Sequence, residues 1–157
     1  MKKINVVIYG ATGSIGSSTL SIISKNLDKI NIEGITCNKN IKKLLKIAKS
    51  YNVKKIGFNE KSILMSNKFD LNKYEVFNDD AKFYNIISKK TDVIIFAASG
   101  LTSLDLLLEV LKSGKIVGIA NKECIITLGK KFISLSKKFK TKIIPLDSQS
   151  IIQFIIY

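Results

Sequence analysis

Residues 10–16 read Gly-Ala-Thr-Gly-Ser-Ile-Gly, directly after the apolar run Ile4-Asn5-Val6-Val7-Ile8-Tyr9. This is the pattern of a glycine-punctuated turn between a buried strand and a helix starting near Ser14. Such a turn lets backbone N–H groups approach a pyrophosphate, and the helix N-terminus adds about half a positive charge there. Gly10 allows the tight turn, Gly13 the close backbone approach and Gly16 the close packing of helix on strand. The spacing is G-x-x-G-x-x-G, not G-x-G-x-x-G, and a purely structural turn needing positive φ reads the same way.

Four further groups sit where strands are expected to end. The second strand closes on Gly34-Ile35-Thr36-Cys37-Asn38-Lys39-Asn40. Chains that bind NAD usually carry an Asp or Glu at this tip to hold the ribose 2′-hydroxyl. A lysine between two asparagines suits a 2′-phosphate instead, so NADP is favoured over NAD, although Asn38–Asn40 also serve as a turn and helix cap. Glu33 precedes the tip and is not taken as a ribose ligand. Ala97-Ala98-Ser99-Gly100 offers small residues that leave room for a ligand or simply pack closely. Ala120-Asn121-Lys122-Glu123 places polar groups on the edge where open α/β sheets bind ligands. There Lys122 can meet an anionic substrate, and Asn121 and Glu123 the nicotinamide end; the start of a surface helix reads alike. Pro145-Leu146-Asp147-Ser148-Gln149 puts a carboxylate suited to a hard metal beside a serine. One carboxylate does not hold a divalent ion tightly.

Positioning these groups requires strands and helices in alternation. Apolar runs at Ile4–Tyr9, Ile32–Thr36, Lys55–Phe58, Val93–Ala97, Ile116–Ala120 and Lys142–Leu146 predict buried parallel strands. Helical patterns lie at Ser14–Asn26, Ile41–Tyr51, Ala81–Lys89, Ser103–Ser113 and Leu128–Phe139. Asn40 and Thr102 or Ser103 are expected N-caps, and Gly114 a C′ glycine. The segment Asn59–Asp80 reads as a polar loop with a short extra element. The alternation predicts an α/β fold, a doubly wound and mostly parallel Rossmann-like sheet, in one domain over residues 1–148.

Bulk composition narrows the partners. The chain has 157 residues, 46% of them hydrophobic, with one proline, which fits a folded core. No apolar run approaches the roughly 20 residues of a membrane span, and Met1-Lys2-Lys3 leads straight into the first strand, so no membrane partner and a cytoplasmic location are expected. The net charge of +14 comes entirely from lysine. Base-edge readout and bidentate phosphate recognition favour arginine, and Lys42, Lys43, Lys46 and Lys49 read as a scattered helix face, so no nucleic-acid partner is expected. Lys, Ile, Asn, Tyr and Phe share A/T-rich codons, which accounts for the charge. Cys37 and Cys124 make no disulfide framework. There is no histidine to act as base or ligand.

In their order, Gly10–Gly16, Asn38-Lys39-Asn40, Ala97–Gly100, Ala120–Glu123 and Pro145–Ser148 resemble the motifs of the 1-deoxy-D-xylulose 5-phosphate reductoisomerase family, over nearly the whole chain. The resemblance implies reduction and rearrangement of 1-deoxy-D-xylulose 5-phosphate to 2-C-methyl-D-erythritol 4-phosphate, a step of the non-mevalonate isoprenoid pathway, with NADPH and a divalent metal (Mn²⁺ or Mg²⁺). It implies that Gly10, Thr12, Gly13, Ser14 and Ile15 line the pyrophosphate and that Asn38, Lys39 and Asn40 hold the ribose phosphate. Asn121 and Glu123 would contact NADPH, Lys122 and Ser148 the phosphosugar substrate, and Asp147 the metal. A homodimer is also implied.

The chain departs from the family after Ser148. Family members continue Asp-Ser-Glu-His, with the Glu on metal and substrate; here Gln149 and Ser150 stand there. Gln149 thus occupies a catalytic position with a neutral amide, which weakens a metal site. Family members are also more than twice as long. One codon choice for residues 149–157, read two bases further on, gives Glu-His-Asn-Ser-Ile-Tyr-Asn-Leu. The expectation is therefore a truncation or frameshift after Ser148 that leaves 149–157 as an apolar tail, and a chain incomplete for catalysis. Two other readings stay open: a fragment of another NADPH-dependent reductase, such as a semialdehyde dehydrogenase, or a non-catalytic dinucleotide-binding module.

Overall fold

Strands that are apolar on both faces need cover above and below, and parallel pairing with intervening helices provides it. A computed structural model of the chain describes residues 2–59, 69–78, 80–100 and 103–146. Among these residues the strands are β1 (Ile4–Tyr9), β2 (Ile30–Cys37), β3 (Lys55–Phe58), β4 (Glu75–Phe77), β5 (Val93–Phe96), β6 (Ile116–Ile119) and β7 (Lys142–Pro145). They form one sheet in the order β4-β3-β2-β1-β5-β6-β7, with every pair parallel. The expected alternation and the doubly wound Rossmann-like sheet are present. The sheet also gains a short strand at Glu75–Phe77, inside the stretch expected to be a loop with a short extra element. Asp147, Ser148, Gln149 and the apolar tail lie outside the described residues.

Strand periodicity divides the core. Val6, Ile8, Ile35, Ile56 and Ile95 face one side, against Leu20 and Ile23 of α1 (Ser14–Ser24) and Leu44 and Ala48 of α2 (Ile41–Ser50). Val7, Tyr9, Ile94, Phe96, Val117 and Ile119 face the other, against Leu107 and Val110 of α3 (Leu104–Leu111) and Phe132 of α5 (Lys130–Lys138). Each such buried side chain contributes about 1.5–3 kcal/mol relative to exposure. Gly114, just beyond α3, adopts φ +67° and donates its N–H to Thr141 Oγ1 at 3.1 Å, which ties the turn to the approach of β7.

Two helices differ from the sequence expectation, for local reasons. The stretch expected as a helix over Ala81–Lys89 is a 3₁₀ helix over Asp80–Ile86. The buried hydroxyl of Tyr9 donates to Phe83 O at 2.8 Å, and Ile87 N–H bonds Tyr84 O at 3.0 Å, an i−3 partner. Tertiary hydrogen bonding thus takes the carbonyl that an α-helix would have used. The segment also presses on bare backbone: a Cβ at Gly34 would lie 2.3 Å from Ile86 Cγ2. The helix expected over Leu128–Phe139 starts later, at Lys130 of α5, because Gly129, with φ of +48° and ψ of −123°, is not helical, and a further helix, α4 (Lys122–Leu128), precedes it.

The β1–β2 register slips between Val6 and Val7, which face Ile32 and Gly34, so Glu33 is the extra residue of a bulge. The bulge turns its carboxylate onto Lys55 Nζ at 3.0 Å and Thr91 Oγ1 at 2.6 Å, away from the β2 tip. Burial pushes the carboxyl up, but hydrogen bonds from Ser88, Thr91 and Lys55 outweigh it and hold Glu33 below the ordinary value of 4.5. A depressed folded value means stability that is complete above the ordinary value and lost as pH falls through the folded one. We expect the urea midpoint of the wild-type chain to fall between pH 6 and pH 3, and Glu33→Gln to flatten that fall. Parallel pH profiles for the two chains would remove Glu33 from the acid response.

Candidate functional site

The strand order brings the carboxyl ends of β2, β1, β5 and β6 side by side. Three strand spacings of about 4.8 Å make about 14 Å of continuous edge. Succession along the sheet reverses at β1, with β2–β4 on one side and β5–β7 on the other. Open α/β sheets bind ligands at such a switch point.

The glycine loop is built into this point. Gly10 has φ +81°, and a Cβ there would lie 2.6 Å from Ala97 O, so the loops after β1 and β5 meet backbone to backbone. A Cβ at Gly16 would lie 2.4 Å from Gly10 O, so α1 comes down directly on the turn. Gly13 differs: it is exposed, and a Cβ there would meet only Gly10 O, at 3.5 Å. It is the N-cap of α1, no side chain caps that helix, and no acid stands in its first turn. The first intrahelical bond runs from Ser17 N–H to Gly13 O at 2.9 Å, which leaves the amides of the Ser14–Ile15 turn for an external acceptor. Thr12 and Ile15 are half-buried beside it and Ser14 is exposed.

Two side chains that the sequence reading passed over hold this loop. Thr36 accepts the Gly10 N–H on Oγ1 at 3.2 Å and the Ala11 N–H on its carbonyl at 2.8 Å. Lys43 reaches from α2 and donates to Thr12 O at 2.7 Å and Ser17 Oγ at 3.1 Å, so it does not belong to the solvent-facing lysines. The signal for Lys43 is its place beside Leu44 on the flank of α2 that packs toward α1.

At the β2 tip Asn38, Lys39 and Asn40 are exposed. Asn40 Oδ1 accepts the Lys43 N–H at 3.0 Å and caps α2, as its type and position predict. Lys39 makes no ion pair among the described residues. Beneath the tip, burial pushes the Cys37 thiol up to about 12, against a smaller opposing effect of a hydrogen bond from the Asn40 backbone, so it stays an un-ionised packing group.

Farther along the edge, Asn121 is buried and its amide is fully engaged. The two Nδ2 protons are shared among Ala98 O at 2.8 Å, Gly100 O at 3.2 Å and Ser103 Oγ at 3.1 Å, while Oδ1 accepts the Cys124 N–H at 3.0 Å and caps α4. The side chain clips the loop after β5 to the loop after β6. Lys122 and Glu123 are exposed on the first turn of α4. Among the described residues no group of three His, Cys, Asp or Glu side chains is placed to hold a metal ion.

Asn121→Asp keeps the shape of the clip, removes its N–H donors and sets a carboxylate against two carbonyls. We expect it to lower the unfolding free energy by about 2–3 kcal/mol in urea titration. An unchanged midpoint would show that the clip carries no stability. Thr36→Val, which leaves the Gly10 N–H without its acceptor, should lower it by about 1–2 kcal/mol.

The geometry agrees with what the chain is similar to. A model of the 1-deoxy-D-xylulose 5-phosphate reductoisomerase family matches residues 6–129. The enzyme of that name from Pelagibacter ubique is 40% identical over 153 residues, covering 95% of this chain and 39% of that protein. Among solved structures, the reductoisomerase from Zymomonas mobilis in complex with NADPH superposes with a TM-score of 0.85 at 30% identity, over 94% of this chain and 39% of that one. A DOX-P reductoisomerase in complex with magnesium gives 0.85 at 29% identity, over 93% and 38%. The chain thus spans about two fifths of the length of these relatives. With the family pattern running from β1 into α4 and the glycine loop at the switch point, the chain belongs to the 1-deoxy-D-xylulose 5-phosphate reductoisomerase family.

Proposed function

We propose that the chain is the NADPH-binding part of an enzyme that converts 1-deoxy-D-xylulose 5-phosphate to 2-C-methyl-D-erythritol 4-phosphate in the non-mevalonate isoprenoid pathway. The observation that carries this is the uncapped, acid-free first turn of α1, opened by Gly13 at the switch point and flanked by the exposed Lys39. NADPH fits that cradle: side chains are excluded at Gly10 and Gly16, and Gly13 leaves open space. The bound dinucleotide supplies hydride.

This chain's residues bind and orient it. Gly10, Thr12, Gly13, Ser14 and Ile15 take the pyrophosphate on backbone amides. Asn38, Lys39 and Asn40 take the 2′-phosphate. Asn121 shapes the nicotinamide end by holding the carbonyls of Ala98 and Gly100, and Glu123 stands beside it for ribose. Lys122 meets the phosphosugar. Asp147 for metal, and Ser148 and Gln149 for substrate, complete the assignment and lie outside the described residues. No helix among the described residues is long and apolar enough to cross a membrane. A cytoplasmic location, a homodimeric assembly and completion of the active site by groups beyond these residues belong to the same proposal.

Titration of the 157-residue chain with NADPH and with NADH, followed by nucleotide fluorescence, tests the reading. NADPH should bind at least about tenfold tighter than NADH, as one charge-assisted phosphate contact provides. Lys39→Ala should remove most of that preference and leave NADH binding within about twofold. Equal affinity for the two nucleotides in the wild-type chain would overturn the assignment of the β2 tip.

A further inference from the structure

The ammonium of Lys43 lies against the glycine loop with two neutral acceptors, Thr12 O at 2.7 Å and Ser17 Oγ at 3.1 Å. It is partly buried, and neither ion pair among the described residues includes it. The first turn of α1, which it touches, contains no acid. An ammonium has three N–H donors, so one remains beyond these two bonds. A partly buried cation with only neutral partners has given up hydration without gaining a counter-charge, which favours an anion arriving beside it. The same side chain fixes the loop by joining the Thr12 carbonyl to the Ser17 hydroxyl of α1.

Resting on the cofactor reading above, we infer that Lys43 is a positioning residue for the dinucleotide pyrophosphate. It tethers the Thr12 carbonyl and places a fixed positive charge beside the phosphate-binding turn. Its contacts are to the glycine loop and α1, whereas Lys39 stands at the β2 tip. Lys43 therefore acts on the pyrophosphate common to NADPH and NADH, and Lys39 on the 2′-phosphate of NADPH alone.

The test compares the wild-type chain with Lys43→Met, Lys43→Gln and Lys43→Arg, each titrated with NADPH and NADH at two salt concentrations and each melted thermally. Lys43→Met should weaken both nucleotides by the same factor, about tenfold, and make log Kd less dependent on salt. Lys43→Gln keeps a donor for Thr12 and drops the charge; it should melt like the wild type and still lose binding, so the result stands even where Lys43→Met folds poorly. Lys43→Arg should recover affinity to within about threefold. Wild-type affinities in Lys43→Gln overturn the inference and leave the cofactor reading intact, as does a loss confined to NADPH. A wild-type chain that binds neither nucleotide overturns the cofactor reading, and this inference with it.

Discussion

The contact between Gly10 and the Ala97 carbonyl is the constraint around which the rest is arranged. Two parallel strands that lead away in opposite directions along the sheet must turn their exits past each other. At the β1–β5 boundary those exits come so close that a Cβ at Gly10 would stand 2.6 Å from Ala97 O. Only a residue with no side chain and free access to φ +81° fits there. Once that turn is made, Gly16 must also be bare, because α1 descends directly onto Gly10 O. The open space for a ligand at Gly13 follows from this crowding: the helix is pulled down on the sheet, and its first turn is left facing the edge.

Residues along that edge divide into those that hold it and those that face outward. Thr36 and Asn121 are buried, and their polar atoms are used up on backbone groups of neighbouring loops. Lys39, Lys122 and Glu123 are exposed one to three residues away from them. Among the described residues no buried side-chain nitrogen or oxygen lacks a partner, so the loops are pinned by complete hydrogen bonding. At the other end of the strands, the Glu33 bulge binds β2 to Lys55 of β3 and to Thr91 ahead of β5. The acid nearest the β2 tip is thereby committed to the frame.

The large positive charge acquires meaning only by position. Among the described residues Lys42, Lys46, Lys49, Lys130, Lys131, Lys137 and Lys138 are exposed on helices, where solvent and salt screen them. Lys39, at the strand tip, and Lys43, folded back on the glycine loop, are the two set beside the candidate phosphate sites. Counting residues does not distinguish them from Lys42 or Lys46; only their places in the fold do.

The sequence alone determined the strand–helix alternation, the bounds of β1 and β3 and the cap at Asn40, because two-sided apolar runs and short polar caps are local properties. Through its motifs it also determined the family, and with it where cofactor residues were to be sought. Tertiary structure decided the rest. Tyr9 converts an expected α-helix into a 3₁₀ helix by taking the Phe83 carbonyl, a choice made by a residue 74 positions away. Gly129 delays the start of α5 to Lys130, and Glu75–Phe77 becomes a strand because β3 offers it an open edge. Lys43 belongs to the glycine loop, and Asn121 acts as a clip, because the fold brings carbonyls of distant loops within reach of their donors. Periodicity encodes which face of an element is apolar, whereas hydrogen-bond partners across the fold are set only when the strands have taken their order.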